Sequence, residues 1–132
     1  MIFVDTNYFL RFLLSDIVSQ HNEAKTLFFD AAEGKTSVFT STIVIFELYW
    51  VLTSFYGKNK KEVASILENV LAMHFVRIEE REILKNAVTF YGISTFDLED
   101  AYNISYAKAK GMKEFKTFDK KLQRVTSASL KG

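Results

Sequence analysis

The feature that most constrains the fold is the alternation of short apolar runs with longer segments of helical spacing. Four runs have strand length, and a fifth is either a strand or the tail: "IFV" at 2–4, "SVFT" at 37–40, "HFVRI" at 74–78, "EFKTF" at 114–118 and "RVTSA" at 124–128. Strands that alternate with helices predict a parallel sheet covered on both faces. We therefore expect an α/β fold, a three-layer α/β/α sandwich around a central four- to five-stranded parallel sheet. The length is typical of one domain, residues 1–132.

The expected helices lie between these runs and are bounded by capping residues and glycines. They are "NYFLRFLL" at 7–14, "SQHNEAKTLFFDAAEG" at 19–34, "STIVIFELYWVLTSFYG" at 41–57, "NKKEVASILENVLAM" at 59–73, "EEREILKNAVTFYG" at 79–92 and "TFDLEDAYNISYAKAKG" at 95–111, with a short turn "DKKLQ" at 119–123. Ser19 is the expected cap of the second helix, and a Ser or Thr is the expected cap of the third.

The composition excludes several classes of protein. There is no cysteine, so neither a disulfide nor a thiolate metal site can form, and a cytoplasmic location is expected. The apolar start of the chain lacks a basic segment and is interrupted by Asp5, Asn7 and Arg11. It therefore fits neither a signal peptide nor a membrane span, and no membrane association is expected.

The formal charge of +1 hides an uneven distribution along the chain. Residues 1–100 carry 9 Lys and Arg against 14 Asp and Glu, whereas residues 101–132 carry 8 against 2. Such a basic end can steer a polyanion toward an acidic site elsewhere, or it can simply be a solvated helix face with a lysine-rich tail.

Acidic residues stand at the ends of the predicted strands and at the starts of the predicted helices. Asp5 follows the first strand, Asp119 follows the fourth, and Asp97 and Asp100 open the helix before it. Because ligands of parallel sheets bind at the carboxyl ends of the strands, we expect these acids at one edge. Glu47 is the exception, because it stands alone within the apolar run "IVIFELYWVL" and must direct its charge inward or along a narrow seam.

Clustered carboxylates repel one another unless a cation lies among them. Oxygen ligands without histidine or thiolate select Mg²⁺ or Mn²⁺ rather than zinc. Such ions lower the pKa of bound water and stabilise leaving oxygens, which is the chemistry of phosphodiester hydrolysis.

Each acid also has a purely structural interpretation. Asp5 and Asp119 can be N-caps of the helices that follow them, and Asp97 and Asp100 can be a cap and its N3 partner. Glu47 lies too deep in its helix to cap it, so its structural alternative is a snorkelling or arginine-paired side chain.

Four segments in this order resemble the PIN domain and, within it, the small VapC-like toxin ribonucleases. The segments are "FVDTN" at 3–7, "STIVIFELYWVL" at 41–52, "FDLEDAYNISYAKAKG" at 96–111 and "FKTFD" at 115–119, and the match spans residues 2–122. The resemblance implies an Mg²⁺- or Mn²⁺-dependent endoribonuclease that acts on RNA. It assigns catalysis and metal binding to Asp5, Glu47, Asp100 and Asp119, and auxiliary roles to Asp97, Thr6, Asn7 and Thr117. The family continues into another strand, whereas residues 124–132 are short and polar.

The resemblance also implies partners. VapC-like proteins are usually homodimers and bind an antitoxin peptide, and here the groove and the dimer surface would include Tyr8, Phe12, Tyr49, Trp50 and Phe55. Two other functions stay open: a PIN nuclease of RNA processing without an antitoxin, and a non-catalytic RNA- or protein-binding module on the same fold. A phosphatase or receiver-like domain is less well supported, because no second acid stands beside Asp5 and no phosphate-binding loop is evident.

Overall fold

A computed structural model describes the backbone of residues 1–131 and the side chains of residues 1–127. The elements follow in the order β1 (Ile2–Phe3), α1 (Thr6–Leu14), α2 (Val18–Ala32), β2 (Val38–Phe39), α3 (Thr42–Ser54), α4 (Lys60–Leu71), β3 (Val76–Arg77), α5 (Arg81–Ile93), α6 (Leu98–Ala109) and α7 (Lys120–Lys131). The chain divides into two compact units, a first unit of Met1–Arg81 and a second unit from Glu82 onward.

The first unit contains a parallel sheet with the strand order β1-β2-β3. Ile2 lies opposite Val38 in the β1–β2 pair, and Val38 lies opposite Val76 in the β2–β3 pair. The α/β class and the parallel sheet predicted from the sequence are confirmed. The predicted number of four to five strands is wrong, because residues 1–131 contain three.

The two missing strands have different physical explanations. Residues 114–118 contain residues of high strand propensity, Phe115, Thr117 and Phe118, but belong to no sheet in the described chain, since strand propensity does not determine whether a neighbouring backbone is available for pairing. Residues 124–128 belong to α7, which also extends the predicted short turn at 119–123. Leu122 and Thr126 are buried and Val125 is half-buried, which is the spacing of one helix face.

The predicted cap of α3 is confirmed, the predicted cap of α2 is not, and α4 has a cap that was not predicted. The Ser41 hydroxyl accepts a hydrogen bond from the Val44 N–H (3.3 Å), and Asn59 forms a capping box with Glu62. Ser19 is not a cap, because the chain is already helical from Val18 and the N–H of His21 donates to the carbonyl of Ile17 (2.8 Å).

The core of the first unit lies between α1, α2, α3 and α4 and holds fully buried residues from each, such as Phe9, Phe28, Leu48 and Leu67. The rings of Phe9 and Phe28 lie 5.3 Å apart. Their burial contributes about 1.5–3 kcal/mol per large apolar side chain.

The turn between α4 and β3 is held by the guanidinium group of Arg81. This group donates hydrogen bonds to the carbonyl oxygens of Leu71, Met73 and Val76. Carbonyls in the last turn of a helix lack intrahelical partners, so the contact with Leu71 satisfies an acceptor at the end of α4.

The second unit has a smaller apolar cluster. Phe96, Ile104 and Leu122 are buried in it, and Phe90, Phe115 and Val125 pack against them. The cluster joins the start of α6 to α7 and so positions the residues at both helix starts. No helix within the described residues is long and apolar enough to cross a membrane.

Candidate active site

Asp5 is held at the carboxyl end of β1. The N–H of Val4 continues the sheet by donating to the carbonyl of Phe39 (2.9 Å), and the next residue, Asp5, is the N-cap of α1. Its Oδ1 accepts a hydrogen bond from the N–H of Thr6 (2.7 Å). The capping interpretation of Asp5 is thus confirmed, and the same cap holds an exposed carboxylate at the end of a strand.

Glu47 projects from the middle of α3, the most apolar helix of the chain. Its side chain is half-buried, and its Oε2 accepts a hydrogen bond from the Thr6 hydroxyl (2.7 Å). Thr6 itself is only 6% exposed. The two acids are therefore linked through one buried residue, whose N–H contacts Asp5 and whose hydroxyl contacts Glu47.

Sequence reasoning missed a second threonine that supports this end of the sheet. The hydroxyl of Thr40, which is buried, donates to the carbonyl of Val4 (2.8 Å), and its N–H donates to the carbonyl of Arg77 (3.0 Å). Thr40 therefore connects all three strands just before Asp5. The available signal was its position as the last residue of the apolar run "SVFT".

Asn7 lies on the exposed side of the first turn of α1. It lines a cavity of about 230 Å³ together with Tyr8, Arg11, Gln20 and Glu23. Burial raises the pKa of the Tyr8 hydroxyl, and the carboxylate of Glu23, which accepts a hydrogen bond from it, raises this pKa further.

In the second unit, Asp97 and Asp119 are both N-caps. Oδ1 of Asp97 accepts from the N–H of Asp100 (2.8 Å), which places Asp100 in the first turn of α6. Oδ1 of Asp119 accepts from the N–H of Leu122 (2.8 Å) at the start of α7. The cap interpretations made from the sequence are confirmed for both residues.

Thr117 fixes the turn that carries Asp119. Its hydroxyl accepts a hydrogen bond from the N–H of Asp119 (3.1 Å), and its carbonyl accepts one from the side chain of Gln123 (2.7 Å). The turn is therefore tied at both ends to α7, and the direction of the Asp119 carboxylate is set by the helix that it caps.

The acids of the second unit act on one another electrostatically. Burial raises the pKa of Asp100 above its ordinary value, and the negative charges of Asp97, Asp119 and Glu99 raise it further. Lys121 opposes this shift. The Lys121 ammonium lies 4.3 Å from the centre of the Phe96 ring. A cation bound beside Asp100 would favour its ionised form and so oppose the upward shift of its pKa.

The donor atoms fit a hard divalent cation. All of the site acids predicted from the sequence offer carboxylate oxygens, which Mg²⁺ and Mn²⁺ prefer. In the three capping aspartates the cap engages Oδ1, so Oδ2 is the oxygen suited to a metal. Among the side chains of residues 1–127, no three Asp, Glu, His or Cys groups converge closely enough to form a complete metal site in this structure.

A parallel α/β sheet with the capping carboxylate of Asp5 at the carboxyl end of β1 places an acid at the edge where α/β proteins bind their ligands. The sequence model of the PIN domain family matches residues 2–127, and the chain therefore belongs to the PIN domain family. PIN domains are in general nucleases that depend on a divalent metal such as Mg²⁺ and bind RNA. Comparisons with curated proteins and with solved structures found no match.

Proposed function

We propose that this protein is an Mg²⁺- or Mn²⁺-dependent endoribonuclease that hydrolyses phosphodiester bonds in single-stranded or structured RNA. Asp5, Glu47, Asp100 and Asp119 are its proposed catalytic residues and metal ligands, within the single three-layer domain typical of the family. The observation that carries the proposal is the link through Thr6, which orders Asp5 and Glu47 although they come from separate elements.

The auxiliary residues have distinct proposed roles. Thr6 orients the carboxylate of Glu47, and Thr117 fixes the turn before Asp119. Asp97 sets the first turn of α6 and hence the direction of Asp100. Asn7 supplies a polar contact at the exposed start of α1.

A bound divalent ion would supply the activation of a water molecule and the stabilisation of charge on the phosphate. The chain's own contribution is to hold its carboxylates in fixed directions through the helix caps. Asp119 or Asp97 orients the attacking water. A carboxylate that is already fixed by a cap loses little entropy when it binds a ligand or a proton.

The direct test is cleavage of a labelled RNA by the purified protein in Mg²⁺, in Mn²⁺ and in a chelator. We expect cleavage only with metal, and we expect Glu47→Gln to lower the rate at least about 100-fold, as the loss of one electrostatic contributor does in other enzymes. Glu68→Gln is the matched control, because Glu68 is an exposed acid of α4 in the same unit. RNA binding without cleavage would instead support the non-catalytic module.

We also propose that the protein is a VapC-like toxin, a cytoplasmic homodimer inhibited by an antitoxin peptide. Support comes from exposed aromatic residues around the end of α3, where Trp50 is 41% exposed and Phe55 is 79% exposed. Tyr49 is half-buried in the same helix. An amphipathic antitoxin segment would cover these rings and direct an Arg or Lys toward the acids.

Two further groove residues contribute differently. Tyr8 is half-buried and bound to Glu23, and the ring of Phe12 packs at 5.0 Å against the ring of Phe28. We therefore expect the peptide to contact Trp50 and Phe55 more than Phe12.

The toxin proposal is tested by co-expression with the product of the neighbouring gene. We expect the pair to co-purify, and we expect added Mg²⁺ and Glu47→Gln each to weaken it. If no partner binds and expression of the protein alone leaves growth unchanged, an RNA-processing nuclease without an antitoxin replaces the toxin.

A further inference from the structure

The ring of Phe118 is fully exposed, with a relative exposure of 102%, although it directly precedes the cap residue Asp119. The segment that carries it is not loose. Hydrogen bonds from Asp119 and Gln123 to Thr117 hold the backbone on one side, and the bond from the Leu122 N–H to Asp119 holds it on the other. The turn therefore presents an aromatic ring to solvent from a backbone that is held in place beside an acid of the candidate site.

The charges around this ring indicate what kind of partner it suits. Residues 113–124 contain five basic side chains, Lys113, Lys116, Lys120, Lys121 and Arg124, against the acids Glu114 and Asp119. Lys116 pairs with Glu114 at 2.9 Å, but both side chains are exposed, so a stronger anion can replace this contact. Lys120 opens α7 and follows Asp119 directly.

A lone exposed apolar side chain is common on protein surfaces and does not by itself indicate a ligand. A protein partner would require a larger apolar patch around the ring, whereas here Lys116 and Lys120 stand two residues before and after it in the sequence. Flat aromatic rings among cations are the features that bind unpaired nucleic acid, because bases stack on the ring while the cations contact the phosphates.

We propose that Phe118 is a base-stacking residue for unpaired RNA, and that Lys116 and Lys120 contact the phosphates on either side of the stacked nucleotide. This inference rests on the proposed nuclease function and extends it. Because the bases of a duplex are already stacked on one another, the site selects single strands. Because Phe118 adjoins Asp119, the stacked nucleotide lies next to a proposed metal ligand.

The test measures binding without cleavage, in a chelator, by fluorescence anisotropy. The probes are a labelled oligouridine of about 12 nucleotides, the same backbone without bases, and an RNA duplex. We expect Phe118→Leu to weaken binding of oligouridine about tenfold, or ~1.4 kcal/mol, and to leave binding of the abasic strand unchanged. Phe118→Trp should retain the affinity, because it keeps an aromatic face.

The matched control is Phe29→Leu in the first unit. Phe29 is also an exposed phenylalanine, at 52%, and the ammonium of Lys25 lies 5.3 Å from its ring centre. Its surroundings belong to the acidic part of the chain, so we expect no change in RNA affinity. Lys120→Gln should weaken binding of both the oligouridine and the abasic strand. It should also reduce the slope of log K against log salt concentration by about 0.7.

Three results would overturn the inference: unchanged oligouridine affinity in Phe118→Leu, an equal loss for the abasic strand, or an equal loss in Phe29→Leu. The inference and the nuclease function fail separately. If Phe118→Leu cleaves RNA normally, only the stacking role is excluded. If RNA binding depends on Phe118 but the protein never cleaves RNA, only the nuclease function is excluded.

Discussion

The two compact units hold their acids in different electrostatic environments. In the first unit, Asp5 and Glu47 both accept hydrogen bonds from the neutral donors of Thr6. In the second unit, Asp97 and Asp119 also accept hydrogen bonds from backbone N–H groups, but burial and the neighbouring carboxylates together raise the pKa of Asp100. The comparison shows that residues of one type, with one proposed role, can be held by neutral donors alone in one place and by neutral donors within a group of like charges in another.

The two environments predict different consequences for the same substitution. Removing a donor or acceptor from the first unit leaves a polar group without its partner in a half-buried setting, which lowers stability. Removing a charge from the second unit relieves repulsion, and any loss of stability there should come from the helix caps alone.

The largest expected effect is on catalysis, and substitutions of the site acids in the two units should reduce the cleavage rate equally. Asp5→Asn and Asp100→Asn should each reduce metal-dependent RNA cleavage at least about 100-fold, because each removes one charge from the proposed metal ligands. Asp97→Asn should reduce the cleavage rate less than tenfold, since asparagine is an equally good cap. Cleavage rates at saturating Mg²⁺ test this, and normal activity in either Asp5→Asn or Asp100→Asn would exclude that residue as a ligand.

The next effect concerns the stability of the first unit. Thr6→Val removes the hydroxyl that contacts Glu47 while keeping the shape of the side chain. We expect a loss of about 1.5–3 kcal/mol in the free energy of unfolding, the range for hydrogen bonds to charged groups.

Urea denaturation of the metal-free protein measures this loss. Thr6→Ser is the control, because it keeps the donor. In the double variant Thr6→Val with Glu47→Gln, the loss should shrink, since no charge is left unpaired. Strict additivity of the two substitutions would contradict the direct contact.

A smaller effect is expected at the cap of α7. Asp119→Ala should lower the free energy of unfolding by about 1 kcal/mol through loss of the N-cap, and Asp119→Asn should restore most of it. Both should abolish cleavage. A thermal melt that separates the two variants would therefore distinguish the capping role from the catalytic one, and equal melting temperatures would contradict a stabilising cap.

The smallest effect is the pH dependence at Asp100. Folding raises the pKa of Asp100, so the folded state favours the protonated acid. The resulting contribution to the free energy of unfolding is fully present below about pH 3.8, and it is lost as the pH rises through the raised pKa. At neutral pH, Asp100→Asn should be equally stable or more stable than the wild type, by less than about 1 kcal/mol. Urea denaturation of both proteins from pH 3 to 7 tests this prediction. If Asp100→Asn is less stable than the wild type at pH 7, the proposed repulsion between Asp100 and its neighbouring acids is contradicted.

Local interactions explain why so much of the candidate site could be predicted. Helix capping was the structural alternative for Asp5, Asp97 and Asp119, and a cap is decided by the residue and by the backbone within three positions of it. The parallel α/β class followed from the alternation of elements. The family was evident because its four motifs are short and local.

Longer-range pairing explains what could not be predicted. Residues 114–118 have strand character without a partner strand in the described chain, and residues 124–128 join a helix because Leu122 and Thr126 share its buried face. Propensity over five residues cannot distinguish these outcomes, because pairing and burial depend on the rest of the fold.

The sequence by itself determined where the acidic residues stand in their elements, which helices they cap and which family the chain belongs to, because these properties depend on neighbours along the chain. Only the tertiary structure decided that Thr6 joins Asp5 to Glu47, that Thr40 ties the three strands together, and that Asp119 adds its negative charge to those near Asp100. The physical reason is that hydrogen bonds and electrostatic forces act through space, and folding alone sets the distances between residues that are remote in sequence.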